Sequence, residues 1–102
     1  MSEQISRSRL VRLEVAAEAV RLPPARVRRY ERSGLVRPAS GQGAEALFGE
    51  DELARLRKIR RLREDLGLNQ AGIEVVLRLL HEIETLRTAL GRDEGQATHS
   101  RP

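Results

Sequence analysis

The sequence contains no cysteine and very few aromatic residues. Among its 102 residues there are one Tyr, one Phe and no Trp. The absence of cysteine excludes a disulfide framework and a thiolate metal site. His81 and His99 are the only histidines, and neither has a partner at metal-ligand spacing, so we expect no metal and no other cofactor. A β-sandwich or barrel needs many aromatic and β-branched residues, so the composition argues against both classes.

Long apolar runs, export signals and catalytic motifs are also missing. The longest apolar stretches are too short to span a bilayer, and residues 1–9 contain no apolar segment of the kind that directs export. We therefore expect a cytoplasmic protein without a membrane partner. The glycine-bearing loop at Gln42 lacks the Lys and Ser/Thr of a phosphate-binding loop. The acidic residues 50–52 fit the first turn of a helix better than a catalytic carboxylate pair, so we expect no enzyme.

Positive charge is concentrated in the first part of the chain. The net charge is +4, from 19 Lys and Arg against 15 Asp and Glu. Residues 1–40 hold nine Arg against four Glu, whereas residues 41–102 hold ten Lys or Arg against eleven acids. A basic N-terminal region suggests a polyanionic partner there, and the alternative is a solvated, arginine-rich surface.

Turn-forming residues divide the first part of the chain into short segments. After a flexible N-terminus, residues 1–9, the residues from Leu10 to Leu13 fit a short strand or lead-in. The first helix is predicted from Glu14 to Val20, and Pro24 to Arg32 reads as a second helix. Proline suits the first position of a helix, and Gly34 stands where a left-handed C-terminal cap needs glycine. The apolar face predicted for the first helix consists of Val15, Ala16, Ala19 and Val20.

Two longer helices follow a loop at residues 40–46. The third is expected to start at the acidic residues 50–52 and to end at Gly67. The fourth is predicted from about Gln70 to Leu90, with Asn69 as its N-cap and Gly91 as its end. We expect disorder in the polar tail, residues 92–102. The apolar positions of the third helix are Leu53, Leu56, Ile59, Leu62 and Leu66.

The fourth helix carries the heptad pattern of a coiled coil. Its apolar residues recur at alternating intervals of three and four and form an a/d seam. A helix of about twenty residues is about 30 Å long, more than a domain of this size covers. We therefore favour pairing with a second copy over packing on its own domain. The predicted dimer interface consists of Val76, Leu79, Ile83, Leu86 and Leu90.

The second predicted helix has the chemistry of a DNA-reading helix. Its leading turns present Arg26, Arg28 and Arg29, and arginine binds phosphates or the O6 and N7 atoms of guanine. Val27 and Tyr30, three residues apart, fall on one face that we expect to point toward the core. A helix-turn-helix corner alone is common among helical proteins, so this pattern leaves other functions open.

Residues 25–38 (ARVRRYERSGLVRP) resemble the recognition-helix stretch of MerR-family regulators. The similarity continues through Leu47-Phe48, residues 50–53 and residues 56–62, and covers about residues 10–90. The resemblance implies a mainly α fold: a winged helix-turn-helix domain, residues 10–67, followed by a dimerisation helix, residues 68–91, that forms an antiparallel coiled coil. It also implies binding of a palindromic promoter. The DNA-binding residues expected are Pro24, Arg26, Arg28, Arg29, Tyr30, Arg32 and Gln42.

Arg28 matches a DNA-contacting arginine of the family and Tyr30 matches the second tyrosine of its tyrosine pair. Arg26 stands where the family has threonine, and Arg29 replaces the first tyrosine. The wing departs further, because Ala46 replaces its arginine and Glu45 stands beside it. A wing without that cation should lose a phosphate contact.

The segments 65–73 and 79–87 resemble two short relatives within this family, the HspR heat-shock repressors and the CbpM-type chaperone modulators. The repressor interpretation predicts a homodimeric, sequence-specific regulator that represses chaperone or heat-shock genes. The modulator interpretation predicts an adaptor that binds a DnaJ-like co-chaperone and no DNA. The basic second helix favours the first and the altered wing favours the second. The operator and any effector are not readable from the sequence.

Overall fold

The computed structural model describes the backbone of residues 9–100 and the side chains of residues 9–91. The chain divides into two compact units between Gly67 and Leu68. Residues 1–8, which make up most of the expected flexible N-terminus, lie outside the described part, as do residues 101–102.

The first unit contains three helices and two short strands. In chain order these are β1 (Val11–Arg12), α1 (Leu13–Val20), α2 (Pro24–Arg32), β2 (Leu47–Phe48) and α3 (Glu50–Glu64). A single 3₁₀ turn, Gly43–Glu45, precedes β2. The predominantly helical architecture with a small two-stranded sheet and a long C-terminal helix confirms the predicted mainly α fold class.

The two strands form the base of a wing. They pair antiparallel, with Val11 opposite Phe48 and Arg12 opposite Leu47. Leu47 also bridges to the preceding segment, because its N–H donates to the carbonyl of Ser40 at 2.8 Å and its carbonyl accepts from the N–H of Ala39 at 2.9 Å. The loop that follows α2 is therefore held against the sheet by backbone hydrogen bonds.

Each helix of the first unit buries one apolar stripe. On α1 the stripe is Leu13, Ala16, Ala17 and Val20, which are spaced i, i+3, i+4 and i+7. The expected face was partly wrong, since Val15 is 54% exposed and Ala19 is exposed. The helix starts one residue earlier than expected, at Leu13, which adds a buried residue to the stripe. The other buried residues of the unit are Leu22, Val27, Tyr30, Leu35, Val36, Ala46, Phe48, Leu53, Leu56, Ile59 and Leu62.

Local hydrogen bonds define the start and end of α3. The side chain of Glu52 accepts from the N–H of Gly49 at 2.7 Å, which satisfies a donor at the helix start. The helix ends at Glu64 with Asp65 as its cap, before the positive-φ Gly67. Leu66, predicted to continue the apolar stripe, lies beyond this end and is 66% exposed. The prediction for Leu66 was therefore wrong.

The second unit is one long helix, α4 (Gln70–Ser100). Asn69 caps it as predicted, because its Oδ1 accepts from the N–H of Gly72 at 2.8 Å. The predicted end at Gly91 was wrong, and residues 92–100, expected to be disordered, have helical backbone. A glycine inside a helix costs about 1 kcal/mol relative to alanine, which weakens a helix without ending it. None of the helices in the described part of the chain is long and apolar enough to cross a membrane.

Candidate nucleic-acid interface

Proline and glycine set the limits of α2 at the residues the sequence predicted. Pro23 is the N-cap and Pro24 the first helical residue, where a missing N–H leaves no hydrogen bond unmade. After Arg32 the chain turns through Gly34 at φ +81°, a conformation that glycine adopts without strain. The N–H groups of Leu35 and Val36 both donate to the carbonyl of Tyr30, at 2.9 and 3.3 Å. The side chains of Leu35 and Val36 are buried.

One face of α2 is buried and the opposite face carries arginine. Val27 and Tyr30 are buried, as predicted. Arg28, Arg29 and Arg32 follow Ala25 at intervals of three and four residues, so they share the opposite side of the helix. Arg29 and Arg32 are exposed and Arg28 is half-buried. We call Arg28, Arg29 and Arg32 the arginine face.

Four of the seven predicted contact residues lie outside the arginine face. Arg26 is half-buried and projects from the side of α2, between the arginine face and the buried face. Tyr30 is 1% exposed, and its hydroxyl is buried without a hydrogen-bond partner among the described residues. The expectation that Tyr30 contacts DNA therefore conflicts with its position in the core. Pro24 and Gln42 are exposed, at the start of α2 and in the wing loop.

A carboxylate connects α2 to the wing. The Oε2 atom of Glu31 accepts from the backbone N–H of Gly43 at 3.1 Å, across twelve residues of chain. Gly43 starts the 3₁₀ turn with φ +60°, and Gly41 has φ +69°. A Cβ at Gly41 would collide with the carbonyl oxygen of Glu45, so this turn requires glycine. No local sequence signal marks Glu31 as this link, because its partner lies twelve residues away.

The wing itself offers no positive charge. Residues 39–49 contain no Lys or Arg, and Glu45 is exposed in the turn. Ala46, at the position where the family resemblance places an arginine, is 0% exposed. The Ala46 side chain is buried, so it cannot contact a ligand. Within residues 9–67, direct cationic contacts must therefore come from segments outside residues 39–49.

Two arginines of α3 donate hydrogen bonds to backbone carbonyls of other segments. The Nε of Arg55 donates to the carbonyl of Leu35 at 2.6 Å, and an Nη of Arg60 donates to the carbonyl of Val20 at 3.3 Å. Both carbonyls lie at or beyond helix ends, where no intrahelical donor reaches them. These contacts support the segments on either side of α2. An Arg60–Glu64 pair at 4.0 Å on the same helix adds little, as exposed pairs contribute about 0–1 kcal/mol.

The second candidate site is an exposed apolar stripe on α4. Ile73 and Leu77 are buried, but every apolar residue from Leu79 to Leu90 is exposed. Leu79, Ile83, Leu86 and Leu90, all in the predicted a/d seam, are 49, 44, 62 and 58% exposed, and Val76 is half-buried. Leu80 and Val75 widen the stripe. Contiguous apolar surface of this kind marks an interaction site. We call Val76, Leu79, Ile83, Leu86 and Leu90 the α4 stripe.

Two comparisons with known proteins found similar sequences. A family model described as MerR HTH family regulatory protein matches residues 4–92. A putative heat shock protein HspR of Streptomyces coelicolor is 32% identical over 75 residues. That alignment covers 74% of the chain but 50% of the relative, so the chain spans about half the length of the curated relative that it matches.

Proposed function

The chain belongs to the MerR family of helix-turn-helix regulatory proteins rather than to a family of enzymes, and from this premise we propose that it is a DNA-binding transcriptional repressor. The arginine face of α2 carries this proposal. In a helix-turn-helix protein the second helix enters the major groove and its exposed side chains reach bases and phosphates. Arg28, Arg29 and Arg32 occupy that side of α2, opposite Val27 and Tyr30.

We further propose that two copies pair through the α4 stripe. Each buried Leu or Ile side chain contributes about 1.5–3 kcal/mol, so a seam of five apolar residues from each copy is enough for a stable pair. The charged residues beside the stripe, Glu82, Glu84 and Arg87, would influence the orientation of the helices more than their stability. A dimer would read two half-sites of a palindrome.

The target genes are proposed from the relative. The matched Streptomyces coelicolor protein is described as a putative heat shock protein, and we propose that this chain represses chaperone or heat-shock genes. The region upstream of the chain's own gene is the first duplex to test. Retention of this duplex over a random duplex of equal length supports a sequence-specific regulator.

Arg28→Ala tests the role of the arginine face. Loss of one arginine contact should weaken DNA binding by about 1–3 kcal/mol, roughly 5- to 150-fold. If the contact is to a phosphate, the slope of log K against log salt should fall by about 0.9. Fluorescence anisotropy at several salt concentrations measures both quantities.

Arg57→Ala is the matched control, because Arg57 is exposed on α3. It removes the same charge and leaves α2 intact. Affinity that is the same for the parent and Arg28→Ala at low and high salt would remove Arg28 from the interface.

The uncharged wing favours a second candidate, an adaptor that binds a DnaJ-like co-chaperone without binding DNA. The absence of Lys and Arg from residues 39–49 and the buried Ala46 both reduce the attraction of the wing for phosphate. A pull-down with a purified J-domain protein, run beside a gel shift, separates the two functions. Capture of the J-domain protein without retention of the duplex would support the adaptor and contradict the repressor.

A further inference from the structure

The turn between α1 and α2 contains an arginine in a conformation that glycine normally adopts. Arg21 has φ +61° and ψ +45°. Its N–H donates to the carbonyl of Glu18 at 3.2 Å, and the N–H of Leu22 donates to the carbonyl of Ala17 at 3.0 Å. This pair of bonds is the Schellman arrangement, which places the residue after the helix in the left-handed region. Leu22, 5% exposed, is thereby turned into the core.

Arginine is a poor choice for this conformation on structural grounds. A side chain in the left-handed region is strained by its own Cβ, whereas glycine is not. Within the described residues, all other positive-φ positions are glycine, namely Gly34, Gly41, Gly43 and Gly67. The chain thus uses glycine for this conformation everywhere in residues 9–100 except at the corner of the helix-turn-helix.

The two backbone bonds and the burial of Leu22 offset part of this strain, but within residues 9–91 no contact of the Arg21 side chain does. The side-chain hydrogen bonds and the ion pair found within residues 9–91 do not involve Arg21, and its side chain is exposed. A cation near the C-terminus of α1 would interact favourably with the helix dipole. That role is already served by Arg60, which donates to the carbonyl of Val20 at 3.3 Å.

The position of Arg21 suggests what it does. It lies three residues before Pro24, at the N-terminal end of α2, and this is the end of the recognition helix that approaches the base edges. Phosphates line the groove on either side of an inserted helix, and a strained residue retained at such a place is a candidate for function. The wing, residues 39–49, supplies no cation for these phosphates.

We propose that Arg21 binds a backbone phosphate at the edge of the groove and takes over the contact that the uncharged wing cannot make. The inference rests on the proposed DNA binding of α2. It assigns to the corner of the helix-turn-helix a contact that is separate from the arginine face.

Arg21→Gly separates the binding role from a structural one, because the two properties should change in opposite directions. Removing the strained Cβ should raise the melting temperature by a few degrees. Removing the cation should weaken binding about five- to tenfold and lower the salt slope by about 0.9. Arg21→Lys keeps the charge and the Cβ, so it should retain the salt slope and the melting temperature of the parent.

The measurements are thermal unfolding by circular dichroism and anisotropy titrations over a salt series. The probes are the duplex from upstream of the chain's own gene and a random duplex of equal length. Arg57→Ala, on α3, is the control for loss of one charge. Parental affinity in Arg21→Gly overturns this inference alone, as does an equal loss in Arg57→Ala. A parent chain that binds neither duplex overturns the proposed function, and this inference with it.

Discussion

The two units of the chain place their apolar side chains in opposite ways. In the first unit, α1 and α3 each bury a stripe spaced three and four residues apart, and the exposed exceptions, such as Val15 and Leu66, are isolated. In α4, the residues from Leu79 to Leu90 have the same spacing and are exposed. One unit therefore buries its hydrophobic pattern internally, whereas that of α4 stays exposed, as expected of the interface through which we propose that two copies pair.

A second contrast, within the first unit, concerns the arginine side chains. In the first unit, arginine side chains have two roles, since Arg55 and Arg60 donate to backbone carbonyls while Arg29 and Arg32 face solvent. A count of basic residues alone does not distinguish these uses. The arginines that hold no backbone carbonyl are the candidates for binding a polyanion.

The largest expected effect is on pairing through α4. Ile83→Asp places a charge in the centre of the α4 stripe, where Ile83 is 44% exposed. A symmetric dimer contains the change twice, so the loss is about 3–6 kcal/mol, and association should weaken about 100-fold or more. Sedimentation equilibrium measures the mass directly, and DNA affinity should fall with it.

Val15→Asp provides the matched control, because Val15 is 54% exposed on α1 of the first unit. It should leave the mass unchanged. A parent and an Ile83→Asp variant of equal mass at micromolar concentration would mean that the exposed pattern of α4 serves something other than self-association.

How much of this fold the sequence predicts depends on how local the signals are. The approximate bounds predicted for α2, near Pro24 and about Arg32, agree with the structure, because Pro24 and Gly34 restrict the backbone directly. The cap at Asn69 was predicted because an asparagine side chain accepts a hydrogen bond from a backbone N–H only three residues away. The end of α4 was wrong, since Gly91 only lowers helix propensity.

Contacts across long stretches of sequence could not be predicted. The bonds from Arg55 to Leu35 and from Arg60 to Val20 span 20 and 40 residues. The sequence of α3 does not distinguish an arginine that donates to a distant carbonyl from one that faces solvent. The left-handed conformation of Arg21 likewise could not be predicted, because it follows from the burial of Leu22 in the folded core.

An effect of intermediate size is expected on the free energy of unfolding when one leucine from each unit is replaced by alanine. Leu56, 0% exposed, lies in the core of the first unit, and Leu86, 62% exposed, lies in the α4 stripe. Leu56→Ala should lower the free energy of unfolding by about 2–5 kcal/mol at every protein concentration. The effect of Leu86→Ala should depend on concentration, because it acts through association.

Urea unfolding of both variants at two protein concentrations, followed by circular dichroism, tests this difference. The parent is measured alongside at each concentration. Identical behaviour of the two leucine variants on dilution would break the distinction between an internally satisfied unit and a helix that needs a partner.

The smallest effect concerns Tyr30, whose side chain is almost fully buried in the first unit. Its hydroxyl is buried without a partner among the described residues, and an unsatisfied buried group costs about 1–3 kcal/mol. Tyr30→Phe should therefore unfold at the same or a higher temperature and should bind DNA as the parent does. Thermal unfolding and anisotropy on the same preparation measure both properties, with Val27→Ala, a buried neighbour on α2, as a variant that should lose stability. If Tyr30→Phe keeps its melting temperature and loses affinity, the hydroxyl must reach the ligand, and α2 must rotate or open on binding. The first unit would then contain, like the proposed interface of α4, a side chain whose contacts form only on binding.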